Sequence, residues 1–152
     1  FNYGAKKYRR VSNTYLLALS AASVLSVIAF ICFQFFPRQI ISAFGNGSEL
    51  YFQFSERYFR IYMFLTIING IQPVTSNFFN SIGKSRLGVF MSLTRQILFL
   101  LPLIVIFPIF MGIDGVMYAG PIADGAAAVV CGYFTVRELK ELKQLENSAA
   151  VN

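Results

Sequence analysis

Residues 11–37 carry no charged side chain, and three further apolar runs of similar length follow, at 61–83, 96–113 and 115–136. About twenty apolar residues in a helix cross the roughly 30 Å hydrocarbon core of a bilayer. Hydrocarbon offers backbone groups no partner outside their own segment, so long apolar runs there become helices. In a soluble bundle each helix keeps a polar stripe toward water. These runs are apolar nearly all round, interrupted in the last by one acid, Asp124. The expected fold class is all-α, a polytopic membrane helix bundle with transmembrane helices over 11–37, 61–83, 87–111 and 115–136. Residues 38–60 are expected as an extracytoplasmic loop containing a short helix, and 137–152 as a cytoplasmic tail.

Charged residues make up only 13% of the chain, against 56% hydrophobic, about half the charged share of soluble domains. A net charge of +6 would suggest nucleic acid in a soluble domain, but in a membrane chain it reflects cytoplasmic loops, and nucleic acid is not an expected partner. Cys32 and Cys131 both fall inside apolar runs, where they act as small hydrophobes. The chain has no His and no Cys-x-x-Cys, so a transition-metal site is not expected. There is also no nucleophile elbow or phosphate loop, and an enzyme is not expected. The chain opens on Phe1 with no cleavable signal pattern and is expected to be part of something longer.

Orientation follows the Lys and Arg residues. Lys6, Lys7, Arg9 and Arg10 precede the first run, Lys84 and Arg86 separate the second and third, and Arg137, Lys140 and Lys143 follow the fourth. An even number of spans separates these groups, so they share one face. That face is expected to be cytoplasmic, with both ends of the chain on it. The opposite face holds Arg38, Arg57 and Arg60, partly offset by Glu49 and Glu56. Ser48 is placed to cap a helix that runs through Tyr51 toward the second span. Residues 137–146 are expected to extend the last helix as a solvated end, with 147–152 frayed; ten residues are too few heptads for a coiled coil.

The second run is the most polar. Asn69, Gln72, Ser76 and Asn80 step by three, four and four residues, which places them on one helical face. Pro73 shares that side, where it is expected to bend the span by removing a backbone hydrogen bond. Amides facing lipid are costly, so the stripe must either bond to neighbouring helices or line a watery cavity. Arg95 lies nine residues past Arg86 and Asp124 nine residues past Gly115, about 13 Å along a helix in each case. Charges at such depth are paired or functional, and an Arg95–Asp124 contact between antiparallel neighbours is expected. Gly120, Asp124, Ala128 and Gly132 form a small-residue face suited to close packing, as do Ser20, Ser23 and Ser26 in the first run.

The order of these elements resembles a known family. Gly70-Ile71-Gln72-Pro73, Asn80-Ser81-Ile82-Gly83-Lys84-Ser85-Arg86, Ser92-Leu93-Thr94-Arg95-Gln96 with Leu101-Pro102, and Gly112-Ile113-Asp114-Gly115-Val116 leading into Gly120-Pro121-Ile122-Ala123-Asp124 look like the multidrug and toxic compound extrusion transporters. Those proteins have twelve spans in two lobes, and this chain matches the last four. The resemblance implies alternating-access efflux of organic, often cationic compounds in exchange for Na⁺ or H⁺, from the plasma membrane, with the rest of a transporter chain and the bilayer as partners. It implies no bound cofactor beyond the coupling ion. Asn69, Gln72, Pro73, Ser76 and Asn80 would line or border the cavity, and Arg95 with Asp124 would hold the last two spans together. One departure is that residues 61–83 contain no acid, whereas some members carry a cation-binding carboxylate in that span. Two rivals stay open: a lipid-linked oligosaccharide flippase of the same superfamily, and a four-span membrane scaffold subunit.

Overall fold

A computed structural model describes the backbone of residues 1–151 and the side chains of 1–148; Asn152, the end of the expected tail, lies outside the described residues. Every regular element among them is helical. Helix α1, Tyr8–Phe35, is built from Leu, Ala, Val and Ile without an internal Gly or Pro. It stops where Pro37 forces Phe36 out of the helical region, at φ −122°. Pro37 then opens the short α2, Pro37–Ser42, at a position where its missing N–H costs nothing. Helix α3 is Glu49–Tyr62, capped by Ser48, whose Oγ accepts from Tyr51 N–H at 3.3 Å.

The segment 61–83 is not one helix, contrary to expectation. α3 ends at Tyr62, a 3₁₀ turn occupies Phe64–Ile68, and α4 begins only at Ile71, running to Ser81. Leu65 leaves helical geometry altogether, at φ −94°, ψ 16°. The cause is local: Thr66, Ile67 and Ile68 are β-branched, and Asn69 and Gly70 are poor helix formers. Pro73 consequently sits in the first turn of α4, where no intrahelical bond is lost. The break lies upstream of the proline expected to bend the span.

A tight turn through Gly83, at φ 84°, leads into α5, Ser85–Leu93. A π-helical stretch, Thr94–Leu100, follows, and then α6, Leu101–Met111, without a gap. The wider turn precedes Pro102, whose ring cannot sit in a regular i→i−4 ladder. Gly112, at φ 57°, reverses the chain into α7, Ile113–Val151. A Cβ on Gly115 would lie 2.5 Å from the Phe107 backbone, so only glycine admits this crossing. α7 joins the expected last span and tail into a single helix.

Among the described residues, three helices are long and apolar enough to cross a membrane: Tyr8–Phe35, Ser85–Met111 and Ile113–Ser148. Large apolar side chains point outward along them, with Val105 59%, Ile109 74% and Phe110 81% exposed. Such surface belongs in lipid rather than water. The chain is thus a multi-pass membrane bundle. Its own core lies toward the basic face, where Val11, Tyr15, Phe78, Phe79, Ile82, Met91, Cys131 and Leu142 meet.

Candidate functional site

The deep charges meet. Arg95 lies in the π-helical stretch and Asp124 on α7, and Arg95 Nε donates to Asp124 Oδ1. The Asp124 side chain is 4% exposed and that of Arg95 23%. A low-dielectric surround strengthens such a pair but also makes either charge alone expensive. Both neighbouring breaks converge here. Leu65, at the centre of the 3₁₀ turn, lies against Gly125, and the Tyr62 ring covers Gly120 so closely that a Cβ there would come within 2.6 Å of it.

The polar stripe of α4 divides. Gln72 Nε2 donates to the carbonyls of Met91 and Ser92 at 2.8 and 2.9 Å. Ser76 Oγ bonds to the Gly88 carbonyl at 2.8 Å and to Ser92 Oγ at 2.6 Å. Asn80 fills the space where a Gly88 side chain would stand. These three residues fasten α4 to α5. Asn69, Pro73 and Asn80 are exposed, and of these three Asn80 meets α5, at Gly88. A cavity of 410 Å³ beside α4 is walled by Val11, Tyr15, Val74, Asn77, Phe78 and Ser81, none of them stripe residues.

Along α7 the buried line is Ala119, Ala123, Ala127, Cys131 and Thr135, one residue before the expected Gly120–Gly132 series. Gly120 and Asp124 are buried too, whereas Gly132 meets nothing within 4 Å. In α1, Ser20 and Ser23 donate to their own helix, at Leu16 O and Leu19 O, so they satisfy themselves rather than a neighbour.

Three connections have no counterpart in the sequence reading. Tyr15 OH bonds to Thr75 Oγ1 at 3.1 Å and Thr135 Oγ1 at 3.3 Å, joining α1, α4 and α7. Lys84 Nζ reaches Glu138 Oε2 at 2.7 Å and Glu141 Oε2 at 3.1 Å. Burial pulls Lys84 down, but hydrogen bonds to both glutamates and their charges outweigh it and hold its pKa above the ordinary value. Tyr58 OH donates to Asp114 Oδ1 at 2.5 Å, and that bond holds the phenol above its usual range. Glu138 and Leu142 are 4% and 1% exposed, so the tail expected as a solvated helix end packs against the bundle. The signal was present in the sequence: Glu138, Leu142 and Leu145 recur at helical spacing.

The described residues bring together no group of three or more His, Cys, Asp or Glu that could hold a metal. They bring together a charge pair, a hydrogen-bonded helix hairpin and breaks in the helices around both. Comparison with known proteins fits this arrangement. One solved structure, of a chain called protein A, aligns with 90% of this chain at TM-score 0.83 and 32% identity. This chain spans only 30% of that one's length. No curated protein sequence matches. The family model described as MatE matches residues 1–113, and the chain belongs to that family, the transporters of the multidrug and toxic compound extrusion type.

Proposed function

We propose that this chain serves as part of a secondary active transporter that exports organic, often cationic, compounds in exchange for Na⁺ or H⁺ by alternating access. The observation that carries the reading is the paired break in neighbouring helices, the 3₁₀ turn at Phe64–Ile68 and the π-helical Thr94–Leu100, both packed on α7. Interrupted helices around a midplane site are what alternating access uses. Asn69 and Pro73, exposed members of the stripe away from the α4–α5 contact, border the transport cavity; Gln72, Ser76 and Asn80 keep its wall in register. The protein sits in the plasma membrane with both ends of this chain in the cytoplasm, in line with the distribution of Lys and Arg.

A flippase for lipid-linked sugars passes an anionic pyrophosphate and needs free bases inside its spans. Arg95 is the sole Lys or Arg deep within an apolar run, and Asp124 occupies its guanidinium. That favours organic cations. The deciding experiment is efflux of a fluorescent cation from cells expressing the full-length protein, with and without a Na⁺ or proton gradient. Gradient-dependent extrusion is expected. Extrusion indifferent to both gradients, or translocation of a lipid-linked sugar pyrophosphate instead, overturns the proposal.

A further inference from the structure

The densest charge on the molecule stands immediately before α1. Lys6, Lys7, Arg9 and Arg10 are all exposed, and none enters an ion pair among the described residues. They are held on a folded turn. Lys6 N–H donates to Tyr3 O at 3.0 Å and Lys7 N–H to Asn2 O at 2.9 Å. Lys6 takes a left-handed φ of 55°. The Tyr3 and Tyr8 rings meet edge to face at 5.8 Å and pack on the core, so the aromatic residue between the basic pairs pins them in place. Beside them lies a shallow, open recess of 660 Å³ lined by Lys6, Lys7, Arg9, Arg10, Asn13 and Glu146.

The apolar run begins at Val11, directly after Arg10. The cluster therefore stands at the depth of lipid headgroups, where bases immediately before a span meet anionic lipid. Guanidinium forks match phosphate oxygens, and ammonium groups add point charge. We propose that this basic recess binds the headgroup of an anionic phospholipid from the cytoplasmic leaflet. The four bases outnumber the one acid on its wall, Glu146, whose carboxylate opposes the phosphate and limits the affinity. The leaflet named here rests on the cytoplasmic placement of the chain ends proposed above.

The test is equilibrium binding of labelled phosphatidylglycerol and phosphatidylcholine to the full-length protein in neutral detergent. The wild type prefers phosphatidylglycerol by about tenfold or more. K6Q/K7Q and R9Q/R10Q each weaken phosphatidylglycerol binding by roughly tenfold and leave phosphatidylcholine binding unchanged. E146Q strengthens phosphatidylglycerol binding by about two- to fivefold, a gain that misfolding cannot imitate. K140Q/K143Q, which lowers net charge equally, stays within about twofold of wild type. Equal loss in that control, no gain in E146Q, or displacement of the lipid by equimolar inorganic phosphate overturns the site. Orientation is read separately, by labelling N2C in intact cells with a membrane-impermeant maleimide. Protection from the reagent is expected; labelling from outside overturns the leaflet assignment while leaving the detergent result to judge the recess.

Discussion

Lys84, in the turn between α4 and α5, donates to Glu138 Oε2 at 2.7 Å, across 54 residues of sequence. The Glu138 side chain is 5% exposed, so its charge depends on that ammonium. Lys84→Met leaves a buried carboxylate unpaired and is expected to lower stability by about 1–3 kcal/mol. Glu138→Gln keeps a hydrogen-bond acceptor for Lys84 and costs less. Because the folded pKa of Lys84 lies above the ordinary 10.5, its contribution is complete through neutral pH and fades only as pH rises beyond 10.5. Thermal unfolding of the full-length protein in detergent, followed against pH, checks all of these.

For Arg95 and Asp124 the single variants should be worse than the double. Arg95→Leu or Asp124→Leu each strands one charge in a low-dielectric site and costs about 3–5 kcal/mol. R95L/D124L removes both charges and should recover much of that loss. A double-mutant cycle on unfolding midpoints measures it, and strictly additive losses would refute the pairing energy.

Gly88 sets how closely α5 approaches α4. A methyl group there collides with the Asn80 side chain and comes 2.9 Å from Ser76 O. Gly88→Ala is expected to destabilise by about 1–3 kcal/mol through overpacking. Asn80→Ala in the same chain should relieve only part of this, because the Ser76 carbonyl stays in place. Unfolding midpoints of the two variants give the answer.

On the opposite face, Arg38 grips Glu49 at 2.5 Å and lies 5.0 Å over the Phe52 ring. The hydrogen bond from Arg38 holds the Glu49 carboxyl below its ordinary value of 4.5. A depressed carboxylate stabilises above the ordinary value and loses that contribution as pH falls through the folded one. Protection factors in α3, taken relative to the intrinsic exchange rate at each pH, should therefore fall on acidification below 4.5, and in Glu49→Gln they should already be lower at neutral pH and change little further.

Much of this was legible in the sequence, because membrane solvent imposes so few solutions. The length of the run at 11–37 marks α1, and the depths of Arg95 and Asp124 pointed to their contact. What escaped was decided by competition between local and tertiary terms. Pro73 is the most visible breaker in its segment, yet the weaker signals at Thr66–Gly70 interrupt the helix first, leaving Pro73 a harmless first-turn position. The polar stripe offered two readings of one periodicity, and only the approach of α5 at Gly88 separates Gln72, Ser76 and Asn80 from Asn69 and Pro73. The tail read as solvated because its charges alternate in sign. Glu138 is buried nonetheless, since Lys84 arrives from a turn 54 residues away; the helical spacing of Glu138, Leu142 and Leu145 marks the buried face but not the partner that meets it.

The 39 residues of α7 extend about 59 Å at 1.5 Å per residue, nearly twice the thickness of the hydrocarbon core. Pro121 stands eight residues from its start and removes one rung of the backbone ladder there. Everything beyond it is one stiff arm about 45 Å long. A tilt of only about ten degrees at Pro121 would sweep the far end through roughly 8 Å. A small adjustment beside Asp124 is thus carried along α7 to the basic face as a displacement comparable to the width of a helix, where it bears on the Lys84–Glu138 pair.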